Sequence, residues 1–245
     1  MTGHADMVLK AEGLRKIYRG RRVVDEAHAQ VRAGEIVGLL GPNGAGKTTT
    51  FHMIVGLIRP DRGTIRFRDI DIANRPMYKR ARLGMGYLSQ EPSVFRKLTV
   101  EENILAILET LHIPRNERRE RVRVLLRDLG LEVVARQKAY TLSGGERRKL
   151  EITRALAMSP ALIMLDEPFS GVDPLAVNDI QSILRRLKER GLAILITDHS
   201  VRETLSIVDR AYLLYEGRVL REGASDYLIN DPVSRKLYLG ESFRM

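Results

Sequence analysis

The eight residues GPNGAGKT, at positions 41–48, decide the fold that this sequence predicts. They match the pattern G-x-x-x-x-G-K-[ST], in which the backbone N–H groups of a glycine-rich loop surround phosphate oxygens. The preceding residues, 31–40, become almost continuously apolar, as in a strand buried on both faces, and residues 47–56 have a helical pattern. A strand, a glycine loop and a helix in this order predict a phosphate-binding loop. The residues expected to bind nucleotide phosphates are Gly41, Pro42, Asn43, Gly44, Ala45, Gly46, Lys47 and Thr48, with Thr48 also a Mg²⁺ ligand.

Two adjacent carboxylates follow a second apolar strand, at residues 161–165. Ligands of parallel sheets lie at the carboxyl ends of the strands, so Asp166 is expected to hold Mg²⁺. Glu167 is expected to orient and polarise an attacking water. Consecutive strand residues point to opposite faces, which suits two different roles.

Two further polar residues follow predicted strands of the same sheet. Gln90 closes residues 86–89, and His199 comes shortly after residues 192–197. A single glutamine is usually a surface amide and a single histidine is usually structural. Their coincidence with the phosphate loop and the carboxylates makes them candidates for the catalytic site.

The chain alternates strands and helices except in one interval. Strand patterns occupy residues 7–17, 31–40, 65–67, 86–89, 161–165, 192–197 and 210–215. Between residues 100 and 159 only helical patterns occur, at 101–111, 116–129 and 144–158; further helices are expected at 174–190 and 201–208, with a short helical tail at 231–245. This order predicts an α/β core interrupted by an all-helical insert.

Composition excludes several classes of protein. The 245 residues contain no cysteine, which excludes disulfide scaffolds, thiolate catalysis and thiolate-bound zinc. No signal peptide or run long enough for a membrane span is evident, so a soluble protein is expected. The net charge is +10, but the densest arginines, in residues 115–127, lie opposite an apolar helix face, and aromatic residues are few. Nucleic acid is therefore not an expected partner.

The chain contains, in this order, GPNGAGKTT, Gln90, LSGGE, LIMLDEP, SGVD and His199. In order and approximate spacing, these motifs resemble those of the nucleotide-binding subunits of ABC transporters. The resemblance covers essentially the whole chain. The resemblance implies a single ABC ATPase domain, residues 1–245, with ATP and Mg²⁺ as cofactors. Its P-loop NTPase (RecA-like) core would include an N-terminal antiparallel β-subdomain. The core and β-subdomain would comprise residues 1–90 and 160–230, the helical subdomain residues 91–159, and the tail residues 231–245.

The resemblance also implies roles for individual residues. Tyr18 would stack on adenine, and Thr49 would join Lys47 and Thr48 around the phosphates. Gln90 would complete the Mg²⁺ shell, Glu167 would be the general base, and His199 would hold the γ-phosphate. Asp173 would contact a second copy of the chain.

The stretch TLSGGERRKL, residues 141–150, has the features of a second phosphate-binding helix start, since a serine cap precedes two glycines. Its residues are Ser143, Gly144, Gly145 and Glu146. In the family this motif lies at the tip of the helical subdomain, away from Lys47. It would therefore complete the site of a second copy, and two copies facing head to tail would form two composite sites.

Two stretches, TDHSVRETL and YLGESFRM, are most similar to the ATPases of lipopolysaccharide-export transporters. In that family two copies lie beneath two permease subunits, on the cytoplasmic face of a bacterial inner membrane. ATPases of branched-chain amino acid transporters are an alternative. A DNA-associated ABC ATPase is less favoured, because residues 47–143 lack sustained heptads.

The loop Glu91–Leu98 carries apolar Val94, Phe95 and Leu98 among charges, which suits contact with a permease helix. Alternatively, these residues cover the core of the insert. Tyr238 and Phe243 are expected to pack either across the dimer or on the neighbouring subdomain.

Overall fold

The computed structural model describes residues 7–243, and its elements follow the α/β order expected from the sequence. The strands are β1 (Met7–Tyr18), β2 (Arg21–Arg32), β3 (Ile36–Leu40), β4 (Arg62–Phe67), β5 (Ile70–Asp71), β6 (Met85–Leu88), β7 (Leu162–Asp166), β8 (Ala193–Thr197), β9 (Arg210–Tyr215) and β10 (Arg218–Ala224). The helices are α1 (Lys47–Val55), α2 (Met77–Arg82), α3 (Val100–Leu108), α4 (Arg115–Asp128), α5 (Gly144–Leu156), α6 (Pro174–Glu189), α7 (Val201–Leu205), α8 (Ser225–Asn230) and α9 (Pro232–Ser234).

The central sheet has six strands in the order β10-β9-β3-β8-β7-β6. The five strands from β9 to β6 are parallel, and only β10 runs antiparallel to its neighbour. Every residue of β3, β7 and β8 is buried, because helices and a second sheet cover both faces. The carboxyl ends of these strands meet at one edge, where the loops containing Lys47, Glu167 and His199 begin.

The second sheet is antiparallel, with strand order β2-β1-β4-β5. Its buried side chains join α1 and one face of the central sheet in a common apolar cluster, whereas the other face packs in a separate cluster with α3 to α7. Val37 and Leu39 of β3 belong to the first cluster, and Ile36 and Leu40 belong to the second. The predicted α/β fold with an antiparallel β-subdomain is confirmed.

Two strand predictions were wrong in detail. The single strand predicted at 31–40 is broken by a turn at Gly34, which has φ +64°, so that β2 ends at Arg32 and β3 begins at Ile36. The sequence interpretation also missed most of β2, as well as β10. Charged and polar residues such as Asp25 interrupt their apolar pattern, and pairing with neighbouring strands decides their conformation.

Only helices lie between β6 and β7, as expected for the insert. In α4 the apolar Val122 and Leu126 are buried, whereas none of the arginines is buried. The helix α5 spans the insert and carries buried Leu150 and Ile152 into the core cluster.

The tail differs from the continuous helix predicted for 231–245. A π-helical turn, Arg235–Leu239, follows α9 and ends at Gly240, which has φ +86°. Tyr238, Leu239 and Phe243 are partly buried and pack against the core cluster of their own chain. Residues 244 and 245 lie outside the described residues. Within residues 7–243, none of the helices is sufficiently long and apolar to cross a membrane.

Candidate functional site

The loop between β3 and α1 forms a cavity of about 540 Å³, lined by Val23, residues 43–49 and His199. Gly41 has φ +145°, and a Cβ there would lie 2.2 Å from the carbonyl oxygen of Leu214, so only glycine fits. The ammonium of Lys47 donates to the carbonyls of Gly41 at 2.6 Å and Pro42 at 3.0 Å. Burial lowers the pKa of Lys47, and the charge of Glu167 opposes that shift. The loop thus places a cation and the N-terminus of α1 against one cavity, as an anion site requires.

Glu167 is contacted by both polar residues that the sequence singled out. Gln90 Nε2 donates to Glu167 Oε2 at 2.7 Å, and His199 Nε2 lies 2.8 Å from Glu167 Oε1. Glu167 has φ +48°, which is uncommon for a residue with a Cβ, and its N–H donates to the carbonyl of Thr197 at 2.7 Å. The structure therefore brings Gln90, Glu167 and His199 together, and His199 also lines the phosphate-loop cavity.

The carboxylate of Asp166 is 4% exposed and lies against α1. His52 Nε2 is 3.3 Å from Asp166 Oδ2. Thr48 precedes His52 by four residues and therefore lies on the same helix face. The Asp166 carboxylate and the Thr48 hydroxyl offer oxygen ligands. They fit Mg²⁺, which usually takes one or two carboxylates together with phosphate oxygens and water. Accordingly, the described residues contain no group of three or more His, Cys, Asp or Glu side chains that could hold a metal by themselves.

Arg148, which the sequence interpretation missed, connects α5 to the carboxyl edge of the central sheet. Its guanidinium donates to the backbone carbonyls of Ser89 (3.2 Å), Asp166 (3.0 Å), Glu167 (2.9 Å) and Pro168 (3.3 Å). It also forms a buried ion pair of 2.8 Å with Glu151. One side chain thus joins the helix that begins at the LSGGE motif to the loops that carry Gln90 and Glu167. In the sequence, Arg148 is one of several charges on a helix, and nothing marks it as buried.

The LSGGE motif forms a strongly capped helix start. Ser143 Oγ accepts from the N–H of Glu146 at 3.2 Å, and Glu146 Oε2 accepts from the N–H of Ser143 at 2.9 Å. A Cβ on Gly145 would lie 2.5 Å from the Cβ of Ala176, so this glycine allows α5 to approach α6. None of residues 143–146 lines the phosphate-loop cavity of the same chain.

Tyr18 is not among the residues that line the cavity. Its side chain is 43% exposed at the end of β1, with the ammonium of Lys16 5.5 Å from the ring centroid. Val23, on the next strand, lines the cavity instead, and its carbonyl would lie 2.8 Å from a Cβ at Gly46. The sequence interpretation missed Val23, because one apolar residue in a strand carries no distinctive signal.

The loop after Gln90 leaves Phe95 47% exposed, whereas Val94 packs on the core cluster. The guanidinium of Arg154 lies 4.6 Å from the centroid of the Phe95 ring, and Arg154 donates to the carbonyl of Ser93. Beside this pair, an open cleft of about 800 Å³ separates the core from the helical insert. Phe95 is therefore not a core residue of the insert.

Tyr238 links the tail to the phosphate loop. The Tyr238 hydroxyl lies near the backbone N–H of Gly41, which acts on its pKa. Burial raises the pKa of Tyr238 to about 12, and the charge of Asp198 contributes, while the Gly41 N–H opposes the shift. The hydroxyl therefore stays protonated at neutral pH. Phe243 packs near Arg202, whose guanidinium carbon lies 5.8 Å from the ring centroid.

The chain resembles known proteins in both sequence and fold. Residues 24–170 match the ABC transporter family model. The lipopolysaccharide export system ATP-binding protein LptB of Acidithiobacillus ferridurans is 55% identical over 238 residues, covering 97% of this chain and 99% of that protein. An ATP-binding cassette of an ABC transporter, solved in its ADP conformation, matches with a TM-score of 0.85 and 29% identity, covering 96% of this chain and 99% of the other.

A dimeric ATP-binding cassette in a post-hydrolysis state, bound to ADP and phosphate, matches with a TM-score of 0.77 and 25% identity. That match covers 89% of this chain and 98% of the other. Similarity in sequence and in fold thus extends along nearly the whole chain. The chain belongs to the ABC transporter family of ATP-binding proteins.

Proposed function

We propose that this chain is the ATP-hydrolysing subunit of a transporter that extracts lipopolysaccharide from a bacterial inner membrane and exports it. The observation that carries the ATPase assignment is the contact of Glu167 with both Gln90 and His199 beside the phosphate-loop cavity. The 55% identity to an LptB protein over almost the full length supports lipopolysaccharide export as the process served.

The reaction follows from the positions of the side chains. Lys47 and N–H groups of the loop that lines the cavity bind the phosphates of ATP at the start of α1. Thr48, Asp166 and the amide oxygen of Gln90 would hold Mg²⁺, which withdraws charge from the terminal phosphates when bound. Gln90 donates through Nε2 to Glu167, which leaves its oxygen available for the metal.

Glu167 acts as the general base. A water attacks the γ-phosphorus and transfers a proton to the Glu167 carboxylate, while the bond from the γ-phosphorus to the bridging oxygen breaks. His199 lies between this carboxylate and the phosphate-loop cavity, so it is positioned to donate to the γ-phosphate and align the water. Tyr18, at the end of β1, stacks on the adenine, which extends out of the phosphate-loop cavity past Val23.

The complete site requires two copies of the chain. Residues 143–146 lie outside the cavity of their own chain, yet Ser143 caps a helix whose N-terminus suits a phosphate. In a head-to-tail pair, Ser143, Gly144 and Gly145 of one copy face the γ-phosphate bound by Lys47 of the other. Asp173 caps α6 beside Gly145, so it lies at the same interface. Loss of the γ-phosphate then removes a bridge between the copies.

The permease subunits dock at the cleft beside Glu91–Leu98, which places the ATPase at the cytoplasmic face of the membrane. The cleft is lined by apolar residues such as Met85 and Met158, with the Ser93–Arg154 pair at its rim, and exposed Phe95 lies beside it. This combination of apolar anchors and a polar rim suits an amphipathic helix.

The test is purification of the tagged chain with its membrane partners after solubilisation, followed by identification of the permeases. Lipopolysaccharide-export permeases should be recovered, and Phe95→Ala should weaken their recovery at least tenfold. Recovery of amino-acid permeases instead would overturn the export assignment and leave the ATPase assignment intact.

A further inference from the structure

The Asp166 carboxylate has two neighbours outside the motifs discussed so far. One is His52 of α1, at 3.3 Å, and the other is Tyr87 of the adjacent strand β6. Tyr87 pairs with Met164 in the parallel register, and Asp166 comes two residues later on β7. Tyr87 and Asp166 therefore project from the same face of the sheet as diagonal neighbours, within reach of a tyrosine. His52 and Tyr87 approach one carboxylate from different elements.

The hydroxyl of Tyr87 is suited to donate to Asp166. The ring packs at a tilt against Phe51, which is fully buried on α1, with 6.3 Å between the ring centroids. This contact restricts the direction in which the hydroxyl points.

Tyr87 also reaches a second region of the molecule. Its side chain lines the cleft of about 800 Å³ between the core and the helical insert, together with Ser93, Glu151 and Arg154. Tyr87 thus lines the cleft and lies on the sheet face that carries the Asp166 carboxylate, which is proposed to bind Mg²⁺.

We propose that Tyr87 and His52 are positioning residues that hold Asp166 in its metal-binding orientation, and that Tyr87 transmits occupancy of the cleft to the affinity for the metal. This inference rests on the proposed role of Asp166 as a metal ligand. A group that fills the cleft moves the Tyr87 ring, and the hydroxyl then loses or gains its contact with the carboxylate. Partners of metal ligands commonly change metal affinity by about 10–100-fold when they are removed.

The first test measures Mn²⁺ affinity by electron paramagnetic resonance, using the full chain with a non-hydrolysable ATP analogue. Tyr87→Phe keeps the ring and removes only the hydroxyl, and His52→Phe keeps an aromatic ring and removes the donor. Each should weaken Mn²⁺ binding about tenfold, while analogue binding without metal stays unchanged. Tyr227→Phe, on α8, is the matched control and should have no effect.

Asp166→Asn separates failure of this inference from failure of the proposed function. If Asp166→Asn weakens Mn²⁺ binding but Tyr87→Phe and His52→Phe do not, the positioning role is overturned and the metal ligand stands. If Asp166→Asn has no effect, the metal site itself is wrong and the inference falls with it. Melting temperatures of the variants identify any loss of the folded state.

The second test fills the cleft chemically. The chain contains no cysteine, so Ser93→Cys introduces a unique thiol at the cleft, which a bulky maleimide can label. Labelling should shift Mn²⁺ affinity at least threefold when Tyr87 is present and should leave it unchanged in the Tyr87→Phe background. Labelled Val133→Cys, at a position that is 95% exposed, is the control. An equal shift in both backgrounds, or no shift in either, overturns transmission through Tyr87.

Discussion

Replacing Arg148 by methionine should destabilise the chain and separate the LSGGE helix from the catalytic loops. The guanidinium is buried and donates to four backbone carbonyls as well as to Glu151. The two side chains of the ion pair are 8% and 4% exposed, so loss of the arginine leaves a buried carboxylate with one long hydrogen bond, from the N–H of Ser93 at 3.3 Å, and the charge of Arg154 nearby. Breaking a buried pair in this way costs about 3–5 kcal/mol. The free energy of unfolding of Arg148→Met should fall by that amount.

The assay is urea unfolding of the wild type, Arg148→Met, Glu151→Met and the double variant. Arg148 keeps its four carbonyl acceptors in Glu151→Met, so that variant should lose only about 1–2 kcal/mol. The double variant has no buried charge left at this position. Its loss in the free energy of unfolding should therefore be smaller than the sum of the two single losses, by about 2 kcal/mol. Additive losses, or a loss below about 1 kcal/mol for Arg148→Met, would refute this account of the pair.

Three further predictions concern catalysis, docking and the tail. Glu167→Gln should bind ATP, lower the hydrolysis rate by about 10²–10⁴-fold and trap a dimer visible by size-exclusion chromatography; wild-type turnover would exclude Glu167 as the base. Phe95→Ala should leave ATP hydrolysis by the isolated chain within twofold of the wild type while permease recovery falls, and unchanged recovery would move the docking surface elsewhere. Tyr238→Phe removes the hydroxyl that lies near the Gly41 N–H, so the free energy of unfolding should fall by about 0.5–1.5 kcal/mol in urea, and ADP should stabilise the variant less than the wild type. An unchanged variant would show that the tail does not support the phosphate loop.

Sequence motifs predicted the parts of the site whose chemistry requires particular residues at particular spacings. They predicted the phosphate loop, the adjacent Asp166 and Glu167, and the separate Gln90 and His199. The structure brings Glu167, Gln90 and His199 into contact. The central strands were predicted because burial on both faces gives continuous apolar runs, as in β7 and β8.

The rest of the site depends on tertiary contacts. Arg148 looks like an exposed helix charge until the fold places it against four carbonyls at the sheet edge. His52 and Tyr87 lie 35 residues apart in the sequence, on different elements, and only packing brings both near Asp166. For the same reason β2 was missed, since its partner β1, rather than its composition, decides its extended conformation.

The central claim, that each ATP site is built by two copies of the chain, is tested most directly by mixing two inactive variants. A Lys47→Ala chain lacks the phosphate-loop cation, and a Ser143→Ala chain lacks the donor offered to the other copy. Random pairing makes half of the dimers mixed, and each mixed dimer has one intact site of two. Hydrolysis in an equal mixture should therefore rise to about a quarter of the wild-type rate for independent sites in a two-fold dimer, although each variant alone is inactive. A mixture that is no more active than either variant alone would contradict the claim.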